Sequence, residues 1–305
     1  MAGIATKIAA RRAVIAPYAV VAALLIASPA APAAPTIAAT PAPAIHAARK
    51  PALSAEPIPL PDGVKVPAYK AGPLPFHDGE RLVFQASWLG IPAADAKVEL
   101  HRDRKQPSMW TAEVWVQTNP LVDLLFRMRD YVRESFSVGT LAPHDMYIRQ
   151  HENQRFNEYR VSFDQSESLV TLVQENHKGS QTRRFISANP SGPISGTMMA
   201  LSQPLQPGGH LAFDVFTGSS RYVFDFAVGD HEQVSVKAGS FDAIRLTPAV
   251  VYESNGKMSK SGHDTRLWVS ADPRHLPLRA EAAAFIGSVR ADLVEIDDVA
   301  NPAAK

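Results

Sequence analysis

Ten histidines, no cysteine and a few serines beside glycine are the residues from which this 305-residue chain could build metal or nucleophilic chemistry. A helical zinc site needs two imidazoles one turn apart so that both reach the same ion. No histidine here stands in a His-x-x-x-His or Glu-containing helical motif, and His144 and His151 lie seven residues apart on either side of a strand-like run. A dispersed set of this kind belongs to the surface, so no metal site is expected. The missing cysteine removes disulfides, thiolate ligands and a lipidated cysteine, and an oxidising compartment is permitted without being required. In Gly192-Pro193-Ile194-Ser195-Gly196 the serine is one place out of register for a nucleophile elbow, which needs glycines two residues to either side, and a loop or helix cap is expected instead. Pro207-Gly208-Gly209 lacks the lysine and following helix of a phosphate loop, and Asp297-Asp298 sits in a polar tail. No catalytic, cofactor-binding or metal-binding residue is assigned, and no enzyme activity is expected.

The elements that would have to position such residues read as strands. From Phe76 onward, short runs with period-two alternation are separated by Gly, Pro, Asn and Asp. Leu82, Phe84, Ala86 and Trp88 share one face of a run. So do Tyr159, Val161 and Phe163; Leu211, Phe213 and Val215; Tyr222, Phe224 and Phe226; and Val289, Ala291 and Leu293. One wet and one buried face is the mark of antiparallel pairing. Two helices interrupt the pattern. Asn119 caps and Pro120 opens the first, whose Leu121, Val122, Leu124, Leu125 and Met128 recur at helical spacing, with Asp123 and Arg127 four apart. The second is a short segment from Ile194 to Leu201. So few helices argue against βαβ crossovers, and so long a sheet should curl or close to protect its edges. The expected fold is mainly β: a strongly bent antiparallel sheet or incomplete β-barrel, with one or two short helices covering the concave face.

The amino terminus differs from this body. Lys7, Arg11 and Arg12 precede an uncharged run, Ala13 to Ala27, and small residues follow at once, which is the layout of a secretion signal over residues 1–30. The run is shorter than the ~20 residues that span a bilayer, and Pro17 interrupts its start. Residues 31–75 are a Pro/Ala-rich segment with no apolar period; twelve of the chain's 25 prolines lie between Ser28 and Pro75, so an extended, disordered linker is expected before a β-rich domain at 76–298. Residues 1–75 hold seven of the 31 basic and two of the 30 acidic side chains, leaving a mildly acidic body of 24 and 28, which argues against nucleic acid as partner. The cluster Arg127, Arg129, Arg133, with Arg183-Arg184 further on, is expected on a solvated face balanced by Asp130 and Glu134, with contact to anionic lipid or polysaccharide head groups as the alternative.

Several phrases occur in the order of a known family. Phe76-His77-Asp78-Gly79-Glu80-Arg81-Leu82 followed by Ser87-Trp88-Leu89-Gly90-Ile91-Pro92-Ala93, then Pro204-Leu205-Gln206-Pro207-Gly208, Gly239-Ser240-Phe241-Asp242-Ala243-Ile244-Arg245-Leu246, Leu267-Trp268-Val269-Ser270-Ala271-Asp272, Leu276-Pro277-Leu278-Arg279 and Phe285-Ile286-Gly287-Ser288-Val289 resemble the bacterial domain-of-unknown-function family 3108 over about residues 76–296. The sequence departs from the pattern at Ala93-Ala94, where a glycine is common, and in Gly196 to Ser202, which lacks an aromatic and an arginine before Pro204. The resemblance implies an exported envelope protein with a fold similar to periplasmic lipoprotein carriers, whose bent sheet holds acyl chains.

On that footing the expected function is a periplasmic, non-enzymatic protein that binds or carries an apolar or amphipathic envelope ligand. Its ligand-cavity candidates are Trp88, Trp115, Leu121, Leu125, Met128, Met198 and Phe213, with the helix near Leu121 to Met128 as lid or plug. Membrane contact is expected only through the signal segment if it is uncleaved. The alternative is an assembly factor that binds another envelope protein through a strand edge or the Pro-rich segment. An open concavity would favour the carrier and a filled one the assembly factor. An outer-membrane barrel fits poorly, because Asp225, Arg290 and Asp292 point outward and the chain ends in polar residues.

Overall fold

Alternation from Leu82 to Leu293 builds one sheet. The computed structural model describes residues 54–58, 60, 64–74, 76–187, 190–216, 221–254, 257–261, 265–283 and 287–298. The signal-like segment expected at 1–30 lies outside them. The strands are β1 (Ala55–Pro57), β2 (Glu80–Trp88), β3 (Ile91–Arg102), β4 (Met109–Thr118), β5 (Arg129–Ser137), β6 (Pro143–Glu152), β7 (Arg155–Asp164), β8 (Leu169–Asn176), β9 (Gly179–Ile186), β10 (His210–Phe216), β11 (Arg221–Val236), β12 (Gly239–Ser254), β13 (Lys257–Ser261), β14 (Thr265–Ser270), β15 (Pro277–Ala283) and β16 (Ser288–Asp298). Helix α1 (Pro120–Asp123) follows β4, and α2 (Pro193–Leu201) follows β9.

Strands β2 to β9 form one antiparallel meander, and β10, β11, β12, β14, β15 and β16 form another. β16 pairs with β2 and joins them into a sixteen-stranded sheet, with β13 paired to β12 and β1 added parallel to β9. The sheet bends where its register slips, at Ala86/Ser87, Ser135/Phe136, Val228/His231, Trp268/Val269 and Leu293/Glu295. An extra residue on one strand of a pair kinks that strand and increases its twist. The bend carries edge strand β10 round toward β7 and β9: Ser191 bridges Val215, and the Phe216 ring lies 5.4 Å from Phe185 and 6.3 Å from Phe163. The sheet is thus an incomplete barrel, as its strand pattern predicts.

Inward residues form three apolar clusters. One centres on Leu82, Phe84, Val98, Leu100, Val114 and Phe136, a second on Phe213, Phe224, Phe226, Ile244 and Leu267, and a third on Met146, Val161, Leu172 and Phe185. Each large apolar side chain withdrawn from water contributes roughly 1.5–3 kcal/mol. The outer face of β4, β5 and β6 carries a ladder of Trp115, Tyr131 and Tyr147, centroids 5.5 and 5.9 Å apart, with Lys97, Arg149 and Arg160 over the rings.

Two expectations are corrected here. Part of the segment assigned to a disordered linker is structured. β1 pairs with β9, and Ile58 packs on the third cluster. Residues 69–74 form a strap along the barrel: the Tyr69 hydroxyl accepts from Ala212 N–H, Gly72 N–H donates to Ser202 Oγ, and Ala71 and Leu74 pack on the first cluster. Proline forbids continuous pairing but leaves the residues between free to dock. The second correction is to α1, which ends after one turn and packs nothing in the concavity. Asn119 caps it as expected, accepting from Val122 N–H at 2.9 Å. Asp123, however, pairs with Arg129 at 2.5 Å instead of Arg127 and also accepts from the Thr118 hydroxyl, which closes the segment into a loop. Arg127 N–H then donates to Asn153 Oδ1, and Met128 bridges Glu152. The helix inside the barrel is α2.

Candidate functional site

α2 is built to sit in a dry interior. Gly192 precedes it in extended backbone, Pro193 supplies the fixed φ of the first turn, and Ser195 Oγ accepts from Gly192 N–H at 3.0 Å. The amides that a helix start leaves unpaired are taken by a carboxylate from the opposite wall: Glu134 of β5 accepts from Ile194 N–H at 2.8 Å and from Ser195 N–H at 3.1 Å. Glu134 is 0% exposed. Burial pushes its carboxyl up to about 7, against the opposing pull of the Ser195 and Ile194 hydrogen bonds. This overturns the expectation of Glu134 as a counter-charge on a solvated face. Gly192 is required here by close approach, since a Cβ would stand 2.2 Å from Glu134 Oε1. At its other end α2 is held by His275 Nδ1 at 2.7 Å from Leu201 O and by the strap at Ser202.

A cleft runs between α2 and the wall opposite. Thr197, Ala200 and Leu201 form its helical side. Phe213, Phe224 and Phe226 form the core of the other, with Leu246, Leu267 and Val269 beyond. Phe213 stacks on Phe226 at 5.5 Å and on Phe224 at 5.6 Å, giving a continuous aromatic surface. About 40 Å³ of the cleft admits the centre of a water molecule, and the cleft runs out to open solvent. Its charged edge residue, Arg279, is held by Asp292 at 2.5 Å and by the Ser235 carbonyl at 2.9 Å.

This arrangement suits contact with apolar groups. Ser195 Oγ is committed to the helix cap. Ser270, Asp272 and His275 do share the β14–β15 turn, but Ser270 Oγ donates to Asp272 at 2.9 Å while the His275 ring faces Leu201 O, which is the wiring of a turn and not of a nucleophile and its base. Among the described residues no group of three or more His, Asp or Glu side chains is placed to hold a metal ion.

The sequence candidates scatter. Phe213 lines the cleft. Met198 is buried on α2 and Met128 beneath β4 and β5, both in the first cluster. Trp115 belongs to the outer ladder. Trp88 is exposed at the β2–β3 turn, and Leu121 and Leu125 are exposed beside it. The residues passed over as sites are Phe224 and Phe226, whose alternation marks only an inward face, and Glu134, whose signal is a carboxylate in step with inward Phe136 on β5.

Three solved structures resemble the fold. A β-barrel-like protein of the domain-of-unknown-function family 1849 from Brucella abortus aligns at 9% identity and a TM-score of 0.46, over 76% of this chain and 99% of its own. A chain from Parabacteroides distasonis assigned as a lipoprotein aligns at 11% and 0.31, over 73% and 97%. A Bacteroides fragilis chain with a YmcC-like fold, assigned as exported, aligns at 12% and 0.30, over 75% and 100%. No curated protein matches the sequence. The model of DUF3108, proteins of unknown function, matches residues 83–294, and the chain belongs to that family.

Proposed function

We propose that this is an exported, non-enzymatic binding protein of the cell envelope, working in the periplasm, which takes one apolar arm of an amphipathic molecule between α2 and the phenylalanine wall. The observation that carries it is the cleft itself, a narrow apolar opening between the aromatic surface of Phe213, Phe224 and Phe226 and the Thr197, Ala200 and Leu201 side of α2. Ligand sites are commonly concave and mostly apolar, as this cleft is. Export draws support from the charged, apolar and small-residue order of residues 1–30. The interior is otherwise filled by α2 and the three clusters, the outcome that favours an assembly factor, so the carrier reading rests on the cleft alone and limits its ligand to a single chain or ring. Against an assembly factor that works through edge strand β10, Ser191 bridges Val215 on that edge.

The test is delipidated protein titrated with a fluorescent fatty acid, alongside native mass spectrometry of protein as purified. The half-buried Thr197 faces the cleft, so Thr197→Trp fills it from the helix side. Saturable uptake by the parent and its loss in a folded Thr197→Trp variant is the expected result. Absence of uptake by the parent, together with no lipid in the mass spectrum, refutes the proposal.

A further inference from the structure

Two adjacent turns at one end of the barrel carry apolar side chains into solvent. Leu121, Leu124 and Leu125 are 64%, 81% and 83% exposed, and Trp88, Leu89 and Ile91 of the β2–β3 turn are exposed beside them. The turns are tied into one rim: Asn119 N–H donates to Ala93 O, Asn119 Nδ2 reaches Pro92 O, and Leu89 N–H reaches Ser288 O at the start of β16. A Leu-Leu tip raised on a capped loop is neither a groove nor a flat face, so a rigid protein surface would need a matching hole for each turn. A fluid apolar medium needs none.

The surrounding charge selects the medium. Along the same end, the next turns present the exposed cations Arg127, Arg155 and Lys178. Of the carboxylates among them, Asp123 is held by Arg129, Asp130 accepts from the His151 amide and Glu175 pairs with Arg160 at 3.4 Å, while Glu152 stands half-buried near Arg155 and offsets part of its charge. Apolar tips, a tryptophan at their base and a flank of cations match the layers of an anionic bilayer, from acyl chains through interface to headgroups. We propose that this rim docks the protein on an anionic membrane surface through Leu121, Leu124, Leu125, Leu89 and Ile91, with Arg127, Arg155 and Lys178 over the headgroups. The inference stands apart from the cleft and adds a membrane contact beyond that expected of the amino-terminal segment.

The chain has no cysteine, so an introduced one can be labelled uniquely. An environment-sensitive fluorophore on Leu125→Cys is compared with one on Lys105→Cys, in the β3–β4 turn at the opposite end, using the full chain and phosphatidylcholine vesicles with or without phosphatidylglycerol. The label at 125 should shift to the blue and be quenched by nitroxide-labelled lipid, while the label at 105 does neither. Leaving out the phosphatidylglycerol, or adding Leu124→Asp, should raise the lipid concentration required by at least about tenfold. Equal behaviour of the two labels overturns the proposal, because contact then runs through another part of the chain. A shift at 125 without vesicles that grows with protein concentration overturns it in favour of self-association.

Discussion

Replacing Glu134 by glutamine tests how α2 is held. The carboxyl ordinarily titrates at 4.5 and is raised to about 7 in the fold by burial. Between those values the native protein keeps a proton that the unfolded chain has released, so stability is greatest below pH 4.5 and falls as pH rises through 7. At about 1.4 kcal/mol for each tenfold change, the loss approaches ~3 kcal/mol by pH 8. Glutamine cannot ionise, but its amide group turns a donor toward one of two donors, Ile194 N–H or Ser195 N–H, and an unpaired buried donor costs roughly 1–3 kcal/mol. At pH 5 Glu134→Gln is therefore less stable than the parent by about that amount, and at pH 8 it is equal or more stable. Asp130, raised to about 6 by burial, titrates in both proteins and cancels in the difference. Urea unfolding followed by tryptophan fluorescence at pH 5, 6, 7 and 8 gives the difference directly. A difference that stays flat across this range would show that Glu134 does not titrate there, and the account of the helix anchor would be wrong.

Three further outcomes follow from the same contacts. Gly192→Ala drives a Cβ into the Glu134 carboxylate and should cost about 1–3 kcal/mol, measured by urea midpoint, with much of the penalty relieved in the Gly192→Ala, Glu134→Ala double variant. Arg221 Nε lies 3.0 Å from Asp214 Oδ2, and Arg221 Nη1 reaches Ile58 O at 2.5 Å, so this buried pair ties edge strand β10 to β1. Arg221→Met or Asp214→Leu alone should each cost about 3–5 kcal/mol by leaving a buried charge, and the two together less than their sum; strict additivity would refute the clamp. Leu124→Asp and Leu125→Asp should shift the thermal midpoint little, within about 0.5 kcal/mol, because both side chains are exposed; a larger loss would mean they pack in the fold.

Alternation gave away the sheet because burial on one side leaves a mark at every second residue, and Leu82, Phe84 and Ala86 could hardly face elsewhere. The same logic failed for Leu121, Leu124 and Leu125. Helical spacing fixes which side chains lie together but not whether anything covers them, and the decisive event, capture of Asp123 by Arg129, is a contact six residues apart in a loop. The strap at 69–74 escaped for a related reason: composition marks a poor core-former, yet Tyr69 and Leu74 need only a surface supplied by the rest of the chain.

The cleft shows where such reading ends. Phe213, Phe224 and Phe226 each announce an inward face, but whether that face meets a neighbour or a gap depends on where α2 comes to rest. Glu134 settles that position by accepting the first amides of the helix, and Gly192 permits it by leaving room for the carboxylate. The helix rests on β10 at Gly196, where a Cβ would stand 3.1 Å from Val215 and 3.4 Å from Phe213, and the space that remains lies among Thr197, Ala200, Phe224 and Phe226. The residues that make the cleft are therefore not those that line it. Loosening the Glu134 anchor should let α2 shift along the phenylalanines and close the remaining space, and a ligand titration on Glu134→Ala should show reduced uptake although no lining residue has changed; undiminished uptake would mean that the wall alone shapes the site.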